Sequence, residues 1–395
     1  VAASSFPRHL VIALGSLAAL GAAAIDMYLP SLPVIERDLA AAPGETTLTL
    51  SAFFVGLAVG HLLYGPTSDA WGRRRVMAVG VTVYCVASVI CMFATTIEQL
   101  VAARCLQALG AASGSVIARA MVRDMFEGDL AARAQSFINL AFSVTPLLAP
   151  TIGGYVLVWF GWRGIFLVLS LFGLACLIAL ALRVPETLVS ERRTPLSVRG
   201  LVRGYGRILG ERQIICCMLT SSFAFACMFV FFAISPFIYT GHFGVPIQHY
   251  GLLFAVNVIG IMIGNAANTR LVIRFGTMPM LRAGSLVSAA GGVVLLTTTS
   301  FELGGLAGVV LPMMLVVGSL GIIGANAIAG ALAPVPTLAA TTASLLGFVQ
   351  MMIGAATGVL AGLMNDGTPV PLGQLICALS LVGLFFSFTL RRLAN

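Results

Sequence analysis

The chain is a succession of long apolar runs separated by short polar breaks. From Arg8 and His9 to Asp26 it carries no charge at all, and runs of the same kind recur along its length. Bounded by charges, prolines and glycine clusters, they predict helices at about 8–29, 46–65, 74–94, 98–122, 132–159 and 163–184. A second set follows at about 213–239, 247–270, 278–300, 303–329, 338–364 and 370–390. Each is long enough to cross the hydrocarbon core of a bilayer, which takes roughly 20 apolar residues. Between the sets lies the one long polar segment, "PETLVSERRTPLSVRGLVRGYGRILGER". The predicted plan is an all-α membrane protein of twelve transmembrane helices: an N-terminal six-helix bundle at 1–184, a linker at 185–212 and a C-terminal six-helix bundle at 213–395.

Composition agrees with this plan and narrows it. Of 395 residues, 59% are hydrophobic and 9% charged, and the mean hydropathy is +1.03, values outside the range of soluble domains. Twelve spans leave almost no room for a soluble catalytic domain. The first helix has the basic start of a signal peptide, but it ends in an acid and prolines rather than a small-residue cleavage site, so it is read as retained. The eight cysteines fall within or at the edge of predicted spans with no C-x-x-C spacing, and they imply packing rather than a disulfide or a metal.

All 22 basic residues are arginines. With the N-terminus cytoplasmic, nineteen of them fall on the cytoplasmic side, only Arg37 and Arg163 fall outside, and Arg104 lies within a span. That bias predicts both termini inside. It also accounts for the net charge of +8 through anionic headgroups, without nucleic acid as a partner.

Charge inside a span is costly and is usually kept facing a bundle interior or a water-filled cavity. Asp26 and Arg104 are the two clear cases. The first helix runs outward and the fourth inward, so the two residues share a depth. They are either a static pair holding helices one and four together, or a site at which Asp26 gains and loses a proton, its pKa raised by desolvation and lowered by any nearby guanidinium. After Arg104 the sequence "RCLQALGAASG" supplies Gln107 and Gly110, a small-residue pattern that lets helices approach but is generic by itself.

A sharper pattern follows the second helix: "GPTSDAWGRRR", residues 65–75, places Asp69 and Gly72 ahead of three arginines in a predicted tight cytoplasmic turn. An acid at that edge can bridge to helix N-termini or arginines and hold one conformation of a moving interface. The spacing of Gly65, Asp69, Gly72, Arg73 and Arg74 resembles the loop motif of the major facilitator superfamily. Arg104, Gln107 and Gly110 are similar to that superfamily's fourth-helix motif. "APTIGG", with Ala149, Pro150, Gly153 and Gly154, resembles its fifth-helix antiporter motif, and "PETL" at 185–188 its usual end of helix six. "DMYLPSLP" resembles the Bcr/CflA drug-resistance branch in particular. Ala149 stands where many exporters have glycine, although this branch often carries alanine there, and His61 stands where the branch more commonly has glutamine. His61 is read either as a proton relay, given its titration range, or as a packing residue.

The resemblance implies two six-helix bundles around a central cavity, with alternating access by rocking of one half against the other. It implies proton coupling at Asp26 and Arg104, and a conformational switch at Gly65, Asp69, Gly72, Arg73, Arg74, Arg123 and Asp124. Substrate contacts are expected from Asp26, Tyr28, Arg104 and Gln107, and in the C-terminal half from Phe225, Phe229, Asn257 and Gln350. Asn265 and Asn326 add uncharged polar groups to that half. The seventh helix is rich in aromatic, methionine and cysteine side chains, which suit substrates that vary in structure. The expected function is proton-coupled efflux of small antibiotics or other drugs across the bacterial inner membrane, by a monomer with no cofactor or metal. The alternative is proton-coupled transport of a cellular metabolite, which the same fold serves. An enzyme is a distant third: there is no H-E-x-x-H, no G-x-S-x-G and no cluster among the four histidines.

Overall fold

The computed structural model describes residues 8–188, 191, 193, 205–335 and 338–389. The described residues are overwhelmingly helical and contain no strand. Half of the predicted linker lies outside them.

The transmembrane helices are α1 (Arg8–Asp26), α2 (Thr47–Trp71), α3 (Arg73–Met92) and α4 (Ile97–Met125). A continuous helical run, Gly128–Arg183, comes next. At about 1.5 Å per residue its 56 residues are far too long for one crossing. It breaks at Gly161, whose φ of 70° and ψ of 178° are not helical, into α5 (128–160) and α6 (162–183). Then come α7 (Arg212–Pro236), α8 (Tyr250–Phe275), α9 (Thr277–Ser300), α10 (Ala307–Leu332), α11 (Ala339–Met364) and α12 (Val370–Thr389). Eleven helical stretches are long and apolar enough to span a membrane, and the one broken at Gly161 makes two crossings.

Two boundaries differ from the sequence expectation in ways that matter. The first predicted helix stops at Asp26 and gives way to a short turn, Leu29–Ser31, and a short helix, Leu32–Asp38, because two prolines follow. The second runs through Pro66 to Trp71, so Gly65 and Asp69 lie in the last turns of α2 rather than in a loop. Pro66 removes the donor to Leu62 O, and beside it Thr67 Oγ1 donates to Leu63 O at 2.6 Å and Ser68 Oγ to Gly65 O at 3.0 Å. The turn itself is the single residue Gly72, at φ 95°.

The chain divides into two compact units. The first comprises Val1–Tyr28 and Ala52–Leu196, the second Leu29–Ser51 and Ser197–Asn395. In the first, α4 is the hub, packed on α1 and α3. Small residues permit it: a side chain at Gly110 would strike the backbone of Tyr84 and Gly80 on α3, and one at Gly114 the carbonyl of Leu17 on α1. Bulky aromatics stand exposed near one end of this unit, Phe93, Trp159 and Phe160, and Trp71 near the other, the distribution of two interfacial belts. In the second unit α10 plays the part of α4, packed on α7, α8 and α9, with Gly264 of α8 against Gly318 of α10. Residues 29–51 belong to this unit because Gly44 and Thr47 close on Gly362 of α11, and Ser51 faces Gly358 one turn earlier.

Candidate functional site

Three charged side chains are buried among the described residues: Asp26, Arg73 and Arg104. They mark two centres in the first unit. Arg104 and Asp124 stand twenty residues apart on α4, about 30 Å by helical rise, so the centres lie at opposite sides of the apolar core.

At the first centre, Arg104 is wholly buried. Its Nη1 donates to Ala24 O at 3.0 Å, two residues before Asp26, and to Gln107 Oε1 at 2.6 Å. Gln107 Nε2 donates onward to Ser88 Oγ on α3 at 2.8 Å, and that hydroxyl donates to Tyr84 O at 2.7 Å. The guanidinium is held between two rings, 4.3 Å from the centroid of Tyr28 and 4.2 Å from that of Phe53, with Phe166 at 6.0 Å. A cation over a desolvated aromatic face is attracted by the ring quadrupole. Nε and Nη2 have no hydrogen-bond partner, and neither does Asp26 Oδ2. Asp26 and Arg104 therefore share a depth, as the bond to Ala24 shows, but no ion pair joins them among the described residues. Gly153 of α5 lies against the carbonyl of Met27, where any side chain would collide with it, so "APTIGG" packs backbone to backbone on the residue after Asp26. Ala149, Pro150 and Gly154 are buried on the same helix.

The second centre surrounds Arg73. Its guanidinium pairs with Asp69 one turn earlier, with Asp124 Oδ2 at 3.0 Å through Nε, and with Ser68 Oγ at 2.7 Å. Glu186 of "PETL" completes it: Oε1 accepts from the Arg73 N–H at 2.9 Å and Oε2 from the Arg74 N–H at 3.2 Å. A carboxylate thus caps the N-terminus of α3, where orphan amides and the helix dipole favour negative charge. Arg74 Nη2 donates to Ala181 O at 2.6 Å, and Thr187 Oγ1 to Asp124 Oδ2 at 3.3 Å. Gly72 meets two demands at once, a positive φ and room for Glu186, whose Oε2 would lie 2.7 Å from any Cβ there. Gly65 has nothing within 4 Å of where a Cβ would stand, and Arg123 is exposed and joins no ion pair among the described residues.

In the second unit, Phe225 and Phe229 are neighbours on α7, ring centroids 6.5 Å apart, and Phe229 presses on Gly354 of α11. Asn257 is buried on α8, with Nδ2 donating to Leu253 O at 3.4 Å and Oδ1 without a partner. Gln350 is buried on α11. Asn326 donates to Asn268 Oδ1 at 2.6 Å, a buried α8–α10 link in which Asn268 went unremarked in the sequence, while Asn265 is exposed. His61 is half-buried with Nδ1 unpartnered. Asp366 lies outside the spans as a turn-capping group. Slight burial pushes its pKa up, but the Thr368 hydroxyl and N–H, at 2.7 and 2.8 Å, outweigh this and hold it below the usual value. No group of His, Cys, Asp and Glu fit to hold a metal occurs among the described residues.

The sequence profile described as Major Facilitator Superfamily matches residues 14–364. The bicyclomycin resistance protein homolog of Haemophilus influenzae is 32% identical over 362 residues, covering 92% of this chain and 91% of that protein. The chloramphenicol resistance protein of Pseudomonas aeruginosa is 33% identical over 304 residues, covering 76% of this chain and 70% of that one. Among solved structures, the xylose transporter XylE from E. coli matches with a TM-score of 0.77 over 98% of both chains at 14% identity, a likeness of fold alone.

Proposed function

Because the chain belongs to the major facilitator superfamily, and within it to the bicyclomycin and chloramphenicol resistance branch, we propose that it exports small drug-like molecules in exchange for protons. It acts by alternating access as a monomer, with 1–184, apart from residues 29–51 that pack within the second unit, and 213–395 as its two halves and 185–212 as their linker. It lies in the bacterial inner membrane with both termini cytoplasmic, the orientation that the arginine bias supports.

One observation carries the coupling: among the described residues Asp26 is the only buried carboxylate, it forms no ion pair, and one of its oxygens has no hydrogen-bond partner. Such a group can change protonation without breaking an ion pair. Arg104, fixed by Tyr28, Phe53 and Gln107, keeps a positive charge at the same depth with two unused N–H groups. Proton and substrate then oppose each other at one place, a coupling of about 1 to 3 kcal/mol for linked sites. Phe225, Phe229, Asn257 and Gln350 supply the apolar and polar contacts of the second unit. Asp69, Arg73, Arg74, Asp124 and Glu186, with Gly65, Gly72 and Arg123 alongside, act as the switch that stabilises one state.

The test is export from proteoliposomes with an imposed pH gradient, using chloramphenicol and bicyclomycin as first substrates. Asp26→Asn, fixed in the neutral form, is expected to abolish gradient-driven export at equal protein abundance. Full gradient-driven export by that variant would sink the proposal and move attention to His61.

A further inference from the structure

We propose that the furrow between α1 and α6 in the first unit is a binding site for one anionic glycerophospholipid, distinct from the drug and proton path. The furrow holds about 490 Å³. Its floor is made of small side chains, Ala13 and Ser16 from α1 with Cys176 and Ala179 from α6, and the exposed Ala175 stands beside them. Ile12 and Leu182 stand on its rims, 63% and 74% exposed. Both contributing stripes keep helical spacing, so this is a continuous channel down two packed helices.

Its length and its charge identify the occupant. From Phe172 to Arg183 the α6 wall rises about 16 Å, close to half of the roughly 30 Å hydrocarbon core and so to the depth of one leaflet. One end is lined by Phe172, Ala175 and Ser16, and the other carries the exposed guanidinium of Arg183 beside the His9 imidazole, brought together because α1 begins where α6 ends. Arg74 adds a second guanidinium close by, bonded to the carbonyl of Ala181. The nearest described carboxylate in sequence, Glu186, is turned to the N-terminus of α3 and does not neutralise them. An acyl chain lying along the small-residue floor with its phosphate at the cationic end satisfies both halves of the furrow. A zwitterionic headgroup meets the same charges with a compensating cation of its own. The site rests on the membrane-spanning fold and stands whether or not the chain exports drugs.

Native mass spectrometry of the detergent-purified full chain, titrated with palmitoyl-oleoyl phosphatidylglycerol or the matching phosphatidylcholine, reads the site directly. One phosphatidylglycerol is expected to be retained in preference to phosphatidylcholine. Arg183→Gln should weaken that retention about fivefold, the factor one arginine contributes at an anionic surface. Ala179→Trp, which fills the floor without touching charge, should displace the lipid, while Arg75→Gln, exposed on α3, should leave it bound. Equal retention of the two lipids, or equal losses for Arg75→Gln and Arg183→Gln, overturns the proposal as unspecific surface attraction. Unchanged retention in a monodisperse Ala179→Trp protein overturns it as well.

Discussion

Arg104 is a full charge in an apolar bundle, and two aromatic faces stand where a carboxylate partner was one expectation. Replacing Phe53 by leucine keeps the volume roughly constant and removes one π face. The purified Phe53→Leu protein is expected to lose about 0.5 to 2 kcal/mol, the range for a cation over a ring, read as a lowered melting temperature. An unchanged melting temperature would show that Tyr28 alone suffices. Arg104→Lys should restore only part of the function lost in Arg104→Ala, because an ammonium lacks the flat guanidinium that lies between the Tyr28 and Phe53 rings while its Nη1 bonds Ala24 O and Gln107. Asp26 and Arg104 were legible in the sequence because charge is rare in its apolar runs. Phe53 was not: one phenylalanine among 24 carries no mark of standing beside an arginine 51 positions later. The burial of Arg73 was hidden for the opposite reason, since three consecutive arginines at a helix edge read as a solvated anchor.

At the scale of elements, the two units end their second helices in the same way and fasten the third differently. Gly72 before α3 has φ 95°, and Gly276 before α9 has φ 82°. Beyond that the correspondence fails, since Ile273 and Thr277 stand where the first unit has Asp69 and Arg73. An alanine at either glycine meets the cost of a backbone conformation almost confined to glycine, positive φ with extended ψ, about 1 to 3 kcal/mol. Only at Gly72 does the new methyl also displace a carboxylate, because nothing lies within 4 Å of the corresponding point at Gly276. Gly72→Ala is therefore expected to lower the melting temperature more than Gly276→Ala, and equal losses would mean that Glu186 contributes nothing there. Helix positions were readable from hydropathy to within a few residues, yet the extension of α2 to Trp71 was not. A proline at position 66 argues for a stop from sequence alone, yet the helix runs through it to Trp71.

Over the whole molecule, the charge network occupies one unit, so the described residues hold an asymmetric switch on two similarly packed bundles. Asp69→Asn should leave insertion intact and slow transport, measured in proteoliposomes at equal abundance, and an unchanged rate would remove Asp69 from the switch. The six-plus-six plan was visible from the spacing of apolar runs. The assignment of residues 29–51 to the second unit was invisible, because it depends on Gly44, Thr47 and Ser51 meeting glycines of α11 that are some 300 residues distant in sequence.

That distance is also a time. At roughly 5 to 20 residues per second, a ribosome needs about 15 to 60 s to pass from Ser51 to Gly362. For that interval the segment around Thr46 and Thr47 has been made but has no packing partner, while α3 to α6 are inserted and assembled around α4. The first unit can reach its fold on the nascent chain, whereas the stretch from Gly44 to Ser51 meets its partners only once almost the last helix has been synthesised.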